Sequence, residues 1–71
     1  MERDNAINKV KGFRTMAGLT QEEMAKALSI STTAYIMKES GKREFTESEM
    51  RAFVEKVKTI NPSVTLDSIF M

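Results

Sequence analysis

The sequence predicts an all-α fold of five helices forming one small domain over residues 1–71. Apolar residues recur at steps of three and four along most of the chain, which is the spacing of helices with one buried face. Residues that favour helix ends lie between these segments. No strand is expected.

The first helix is predicted at about Asn5 to Ala17. Its core-facing residues follow the helical step and comprise Ala6, Val10, the aliphatic stem of Arg14, and Ala17. Gly18 follows directly, and glycine readily adopts the left-handed conformation that ends helices. The first helix should therefore end at this glycine.

The second and third helices are short. Thr20 and Glu23 form the pattern of a capping box at the start of the second helix, whose apolar face comprises Met24, Ala25 and Leu28. Ser31 is a good N-cap for a third helix over Thr32–Ser40, and Gly41 stops it. Two short helices joined by a tight turn predict a helix-turn-helix at about residues 20–41.

The last two helices complete the domain. Thr46 with Glu49 forms a second capping box, which opens a longer helix of about Glu47 to Ile60. Its buried stripe is predicted to comprise Met50, Phe53, Val54, Val57 and Ile60. Pro62 ends the helix, because proline disfavours helical geometry in the preceding residue. Thr65 is expected to cap a final turn that carries Leu66, Ile69 and Phe70.

Composition excludes several classes of function. The chain has no cysteine and no histidine, which excludes disulfides and Cys/His zinc sites. No apolar run approaches the roughly 18 residues that span a bilayer, and the N-terminus is too polar for a signal peptide. We therefore expect a soluble cytoplasmic protein with no membrane partner and no cofactor. We expect no enzyme, because no nucleophile stands beside a base and the chain leaves little room for a pocket.

Charge is distributed unevenly along the chain. Residues 1–20 carry four basic and two acidic residues (+2), residues 21–50 four basic and six acidic (−2), and residues 51–71 three basic and two acidic (+1). The helix-turn-helix therefore lies in the acidic part of the chain, although Lys38, Lys42 and Arg43 form a potential basic edge. Strong non-specific DNA affinity is not expected from this distribution.

The chain resembles the Cro/C1-type helix-turn-helix family of phage repressors over about residues 6–60. The residues that carry the resemblance are Arg14, the run GLTQEEMA at 18–25, Leu28, Ile30, Ser31, Glu39, Gly41 and Lys42. More narrowly, its size and the stretch KESGKREFTESE are similar to short regulators of temperate-phage genetic switches that act as anti-repressors. The resemblance implies a compact lambda-repressor-like domain.

The resemblance also implies roles for particular residues. Arg14 and Glu39 occupy the positions of a structural ion pair between the first and third helices. Gln21 matches a position that contacts a DNA phosphate, although an ordinary solvated residue is an equal alternative. Ser29 stands at a turn position where relatives often have glycine, which suggests some strain.

The third helix departs from the family pattern. Operator-reading relatives carry long polar side chains at positions that here hold Thr32, Thr33 and Met37. Threonine cannot make the two-pronged contacts that distinguish bases. Ile36 and Met37 add apolar area, which indicates either a protein-binding patch or a helix rotated so that one of them faces the core.

Two functions remain open at this point. An anti-repressor would bind the N-terminal domain of a phage repressor through Thr32, Thr33, Ile36, Met37 and Lys38. A Cro-like dimeric repressor would bind operator DNA through Gln21, Ser31, Thr32, Thr33, Met37 and Lys42. Joint occupancy of operator DNA with the repressor is a third possibility. The oligomeric state is left open, with Leu66 and Phe70 as one candidate dimer surface.

Overall fold

The computed structural model describes residues 2–71, and for residues 2–8 it describes the backbone only. The helices of this part are α1 (Glu2–Met16), α2 (Gln21–Leu28), α3 (Thr32–Glu39), α4 (Glu47–Lys58) and α5 (Leu66–Phe70). No strand occurs within residues 2–71, which confirms the all-α prediction. Ala6, predicted on the buried stripe of α1, lies outside the residues whose side chains are described.

The predicted helix caps are present. The Thr20 hydroxyl accepts a hydrogen bond from the Glu23 backbone at 3.0 Å, and the Glu23 carboxylate accepts one from the Thr20 backbone at 2.9 Å. Thr46 and Glu49 form the same reciprocal box at the start of α4. Ser31 caps α3 by accepting from the Ala34 backbone. These bonds satisfy backbone donors that have no partner inside the helix, and so they fix where each helix begins.

The core lies where the five helices meet. Helix α2 packs against α3 and α4, whereas α1 packs against α5 and α3, and α5 also contacts α4. The largest fully buried side chains are Tyr35, Phe53, Met24 and Val57. Phe45, in the loop between α3 and α4, stacks edge-on against Tyr35, Phe53 and Phe70, with ring centroids 5.4–6.3 Å apart. This aromatic cluster joins the helix-turn-helix to the C-terminal half of the chain.

The end of α4 differs from the sequence prediction. The helix stops at Lys58, and Ile60, predicted on the buried stripe, is 60% exposed. The backbone N–H of Asn61 bonds to the Val57 carbonyl at 2.8 Å, so the chain leaves the helix in a tight turn. That turn directs Ile60 outward. Met50 is half-buried rather than buried.

The C-terminal segment also differs from expectation. Leu66 and Phe70, considered above as an exposed dimer surface, are half-buried and pack on the core. Phe70 lies 5.4 Å from Phe45 and 5.5 Å from Phe53 between ring centroids. Helix α5 therefore closes the core instead of offering a free apolar face. Across residues 2–71, no helix combines the length and the apolar character needed to cross a bilayer.

Candidate functional site

Helices α2 and α3 form the predicted helix-turn-helix. Ser29 takes the left-handed conformation in the turn, with φ 61° and ψ 39°. Its backbone N–H bonds to the Lys26 carbonyl at 3.1 Å, and that of Ile30 bonds to the Ala25 carbonyl at 3.0 Å. These bonds hold the turn although it lacks glycine, and they present α3 on the surface of the domain.

The inner face of α3 is polar and buried, with Tyr35, Lys38 and Glu39 all inside the domain. The Glu39 carboxylate accepts hydrogen bonds from Arg14 Nε at 2.7 Å, Gln21 Nε2 at 2.9 Å and the Tyr35 hydroxyl at 2.8 Å. A second guanidinium nitrogen of Arg14 donates to the same carboxylate at 3.3 Å. The Arg14–Glu39 pair is thus present and joins α1 to α3, and the hydrogen bond from Gln21 joins α2 to the same carboxylate.

The buried cluster changes the acidity of its members. Burial alone would raise the pKa of Glu39, but the hydrogen bonds from Arg14, Gln21 and Tyr35 outweigh it and hold that pKa below its usual value. Burial, followed by the bond to the Glu39 carboxylate, raises the pKa of Tyr35. Glu39 is therefore charged and Tyr35 neutral near pH 7. No buried side-chain polar atom lacks a partner in the described residues.

Lys38 lies elsewhere than the sequence predicted. It was expected on the rim of an exposed patch and as part of a basic edge, but only 9% of the residue is exposed. Its ammonium group bonds to the Glu49 carboxylate at 2.5 Å. Lys38 stands one helical step beyond Tyr35, on the side of α3 that faces the start of α4. It belongs to the packing of the domain and not to the candidate site.

The outer face of α3 is partly exposed and combines two threonines with two apolar side chains. Thr33 lies in solvent, Ile36 is 41% exposed, and Thr32 and Met37 are half-buried. Neither Ile36 nor Met37 belongs to the buried core or to the apolar residues packed against it. This contradicts the alternative in which α3 is rotated so that one of them faces the core, because Ile36 is exposed and the half-buried Met37 does not pack on the core. We call Thr32, Thr33, Ile36 and Met37 the α3 patch.

The candidate phosphate-contacting residues are not all available. Lys42 and Ser31 are exposed, as is Arg43. Gln21 is half-buried, and its amide nitrogen is already bonded to Glu39. A phosphate would have to compete with that carboxylate for the amide. In this conformation Gln21 is neither a free phosphate ligand nor an ordinary solvated residue.

Sequence reasoning missed the contacts of Gln21 and Lys38 and the hydrogen bond of Tyr35. The Tyr35–Glu39 bond had a signal, because residues four apart on a helix lie on one face. The Gln21–Glu39 and Lys38–Glu49 contacts join side chains on different helices, 18 and 11 residues apart in the sequence. No local sequence pattern predicts such contacts. Within residues 2–71 no cluster of acidic residues is arranged to hold a metal ion.

The geometry described above agrees with a comparison to known families. A family model described as "Helix-turn-helix" matches residues 10–59. The chain belongs to the Cro/C1-type helix-turn-helix family. This family consists of DNA-binding transcription regulators and is generally non-enzymatic. The match therefore places the protein among DNA-binding transcription regulators. Neither a curated protein nor a solved structure matches the chain.

Proposed function

We propose that this regulator acts as an anti-repressor. In this proposal the α3 patch binds the helix-turn-helix of a phage repressor in the bacterial cytoplasm and blocks or modulates the repressor's binding to its operator. The observation that carries the proposal is the chemistry of the patch. Its exposed centre is Ile36, flanked by Thr33 and Met37, with no Arg, Gln or Asn among them.

Such a surface suits a protein partner better than base edges. Reading a base pair specifically requires bidentate donors and acceptors, and each good contact contributes about 1–3 kcal/mol of discrimination. Threonine offers one hydroxyl, and Ile36 offers only apolar contact. A protein interface, by contrast, gains from a central apolar residue and from the adaptable side chain of methionine.

The exposed charge of the helix-turn-helix segment supports the same partner. Inside the domain Lys38 pairs with Glu49 and Glu39 pairs with Arg14, so Lys38 and Glu39 add no charge to the surface. The exposed charged residues of the segment 21–50 are then three basic and four acidic: Lys26, Lys42, Arg43, Glu22, Glu23, Glu44 and Glu47. A surface without positive excess suits the basic DNA-binding face of a repressor better than it suits DNA itself.

A Cro-like operator-binding repressor is the second candidate. Lys42 and Arg43 favour it, because both are exposed directly after α3, where they would reach a DNA backbone. The family at large also favours it. Simultaneous binding of this protein and a repressor at one promoter would use the same two basic residues together with the α3 patch.

A gel-shift experiment separates the candidates. The protein alone is titrated against labelled DNA from a phage switch region at two salt concentrations, and then against the same DNA already bound by a Cro/C1-type repressor. The anti-repressor proposal predicts no shift by the protein alone and loss of the repressor's shift. A selective shift by the protein alone that persists at the higher salt would contradict it.

Substitutions on α3 test the surface. Ile36→Asp and Met37→Asp are each expected to weaken binding to the repressor domain at least tenfold, because they place a charge at the interface centre. Ile60→Asp is the matched control, since Ile60 is also exposed but lies at the end of α4. In pull-downs at low micromolar protein, the repressor domain should retain the control variant and should not retain the two α3 variants. Unchanged binding of both α3 variants would exclude the patch.

A further inference from the structure

Methionine is the residue of this chain that reacts most readily with oxidants. The sequence contains six methionines, no cysteine and no tryptophan, and its single tyrosine, Tyr35, is fully buried. Two-electron oxidants such as hydrogen peroxide attack the sulfur atoms of cysteine and methionine, and exposed sites react first. In this chain such an oxidant therefore acts on methionine thioethers, and the fold decides which of them it reaches.

The methionines whose side chains the structure describes differ widely in exposure. Met24 is fully buried in the core, whereas Met16 is 68% exposed and Met71 is 79% exposed. Met37 and Met50 are half-buried, so solvent reaches part of each. Among these five, Met37 belongs to the α3 patch and the others lie outside it. An oxidant that leaves the core intact can therefore modify the patch at one defined sulfur atom.

The backbone at Met37 is anchored independently of its side chain. The Met37 carbonyl accepts hydrogen bonds from the backbone N–H groups of Lys42 at 2.9 Å and Arg43 at 3.2 Å. The Ser40 hydroxyl donates to the same carbonyl at 3.1 Å. The Met37 side chain, by contrast, is not among those packed on the core. A chemical change at its sulfur therefore alters the surface of the patch while the end of α3 stays in place.

We propose that Met37 is an oxidation site that switches off the α3 patch as a protein-binding surface. A peroxide transfers one oxygen atom to the thioether. A sulfur lone pair forms the new S–O bond, the O–O bond of the peroxide breaks, and hydrogen peroxide is reduced to water. The sulfur loses two electrons and becomes a sulfoxide, which reductases convert back to the thioether. This inference rests on the proposed function, because the binding that it regulates is that of the repressor.

The sulfoxide changes the chemistry of the patch from apolar to polar. It carries a strong hydrogen-bond acceptor, and burying an acceptor without a donor is unfavourable. Ile36, at the exposed centre of the patch, offers no donor to it. The flexible thioether that suited an adaptable apolar contact is lost at the same time. We expect the affinity for the repressor domain to fall about tenfold or more, as it does when a central interface residue is disrupted.

Binding should in turn protect Met37 from the oxidant. A repressor domain seated on the α3 patch excludes solvent from the Met37 sulfur and should slow its oxidation. Met16 and Met71 lie outside the patch and should be oxidised at the same rate with and without the repressor domain. These two exposed methionines are therefore internal controls for the dose of oxidant.

The test combines graded hydrogen peroxide, peptide mass spectrometry and binding titrations on the full chain. Met37 is expected to be oxidised after Met16 and Met71 and before the buried Met24. Affinity for the N-terminal domain of a Cro/C1-type repressor should fall in step with the fraction of Met37 sulfoxide. Methionine sulfoxide reductase with dithiothreitol should restore it. Circular dichroism checks that the oxidised protein remains helical.

Met37→Leu is the decisive variant, because leucine keeps the apolar volume and lacks the sulfur. It should bind the repressor domain like the reduced wild type and keep that affinity after peroxide treatment. Met50→Leu is the matched control, since Met50 is also half-buried but lies on α4. This variant should lose affinity after peroxide treatment as the wild type does.

Three results would overturn the inference. Oxidised wild type that carries Met37 sulfoxide and binds with undiminished affinity is the first. The second is an equal loss of affinity by peroxide-treated Met37→Leu, which would assign the effect to another methionine. The third is a Met37 that stays reduced until Met24 is oxidised and the helical signal is lost. The proposed function fails separately, in the untreated samples, if the reduced wild type does not bind the repressor domain at all.

Discussion

The two faces of α3 invert the usual arrangement of a surface helix. Its inner face carries Tyr35, Lys38 and Glu39, which are polar and buried, whereas its outer face centres on Ile36, which is apolar and 41% exposed. Every buried polar side-chain atom in the described residues has a partner. The helix is therefore held in place by hydrogen bonds and ion pairs together with the packing of the Tyr35 ring in the core, and Ile36 remains available for contact.

This difference separates stability from recognition. The inner face contacts α1, α2 and α4 through Arg14, Gln21 and Glu49, so substitutions that remove these contacts should destabilise the fold. The outer face contributes little to the core, so substitutions there should weaken binding without destabilising the fold. Variants can test each face in turn.

The largest effect is expected from Arg14→Met on the inner face. It leaves the Glu39 carboxylate buried without its cation, and breaking one side of a buried pair costs about 3–5 kcal/mol. Urea unfolding followed by circular dichroism measures the loss. Ile36→Asp on the outer face is the comparison variant and should change the free energy of unfolding by no more than about 0.5 kcal/mol. Equal losses for the two variants would contradict the separation of the faces.

A smaller effect is expected from Lys38→Ala. It removes the buried contact with Glu49, and hydrogen bonds to charged groups contribute about 1.5–3 kcal/mol. Lys42→Ala is the matched control, because Lys42 is exposed on the following turn and should leave stability unchanged. If thermal or urea unfolding shows the two variants to be equivalent, Lys38 does not hold α3 to α4.

Stability should also depend on pH. Hydrogen bonds outweigh burial and lower the folded-state pKa of Glu39 and Glu49, so their stabilisation is complete above the unfolded carboxyl pKa of about 4.3. This stabilisation is lost as the pH falls through the folded-state pKa values of the two carboxylates. The free energy of unfolding should therefore be level from about pH 6 to 8 and fall below about pH 4.5. The absence of histidine removes the usual transition near neutrality.

Glu49→Gln sharpens this pH test. It removes one of the carboxylates whose pKa is lowered in the folded state, so the decline in stability at acidic pH should be shallower than in the wild type. Glu55→Gln, on the exposed side of α4, is the control and should keep the wild-type slope. Stability profiles that are identical for all three proteins would show that Glu49 contributes nothing to acid sensitivity.

The smallest effect is expected in the turn before α3. Ser29 is held at φ 61°, a region that costs a residue with a Cβ about 1–2 kcal/mol. Glycine relieves this cost but loses more entropy on folding, so Ser29→Gly should stabilise the protein by about 0.5 kcal/mol. Ser40→Gly, where φ is −80°, should destabilise it instead. A higher melting temperature for Ser40→Gly than for Ser29→Gly would contradict the claim that the backbone of Ser29 is strained.

Much of the fold could be predicted because its signals are local. Capping boxes at Thr20 and Thr46 and the N-cap Ser31 involve residues only three apart, so the helix starts follow from short patterns. Ile60 was placed wrongly because the end of α4 depends on a turn closed by backbone bonds. The packing of Phe70 depends on Phe45 and Phe53, which are distant in the sequence.

The candidate site could be predicted only in part for the same reason. The composition of the α3 patch follows from helical spacing, which puts Thr33, Ile36 and Met37 on one side. Lys38 was assigned to the same surface because a lysine on a short helix is usually solvated. Its burial results from Glu49, eleven residues later. Only the assembled fold places that carboxylate beside α3.

The most direct test of the account is nuclear magnetic resonance mapping on isotope-labelled protein. Adding the N-terminal domain of a Cro/C1-type repressor should shift the amide and methyl signals of the α3 patch, with Ile36 and Met37 changing most. Adding operator duplex at the same concentration and at physiological salt should shift them little. Large shifts of the patch with the duplex, and none with the repressor domain, would contradict the claim that α3 has become a protein-binding surface.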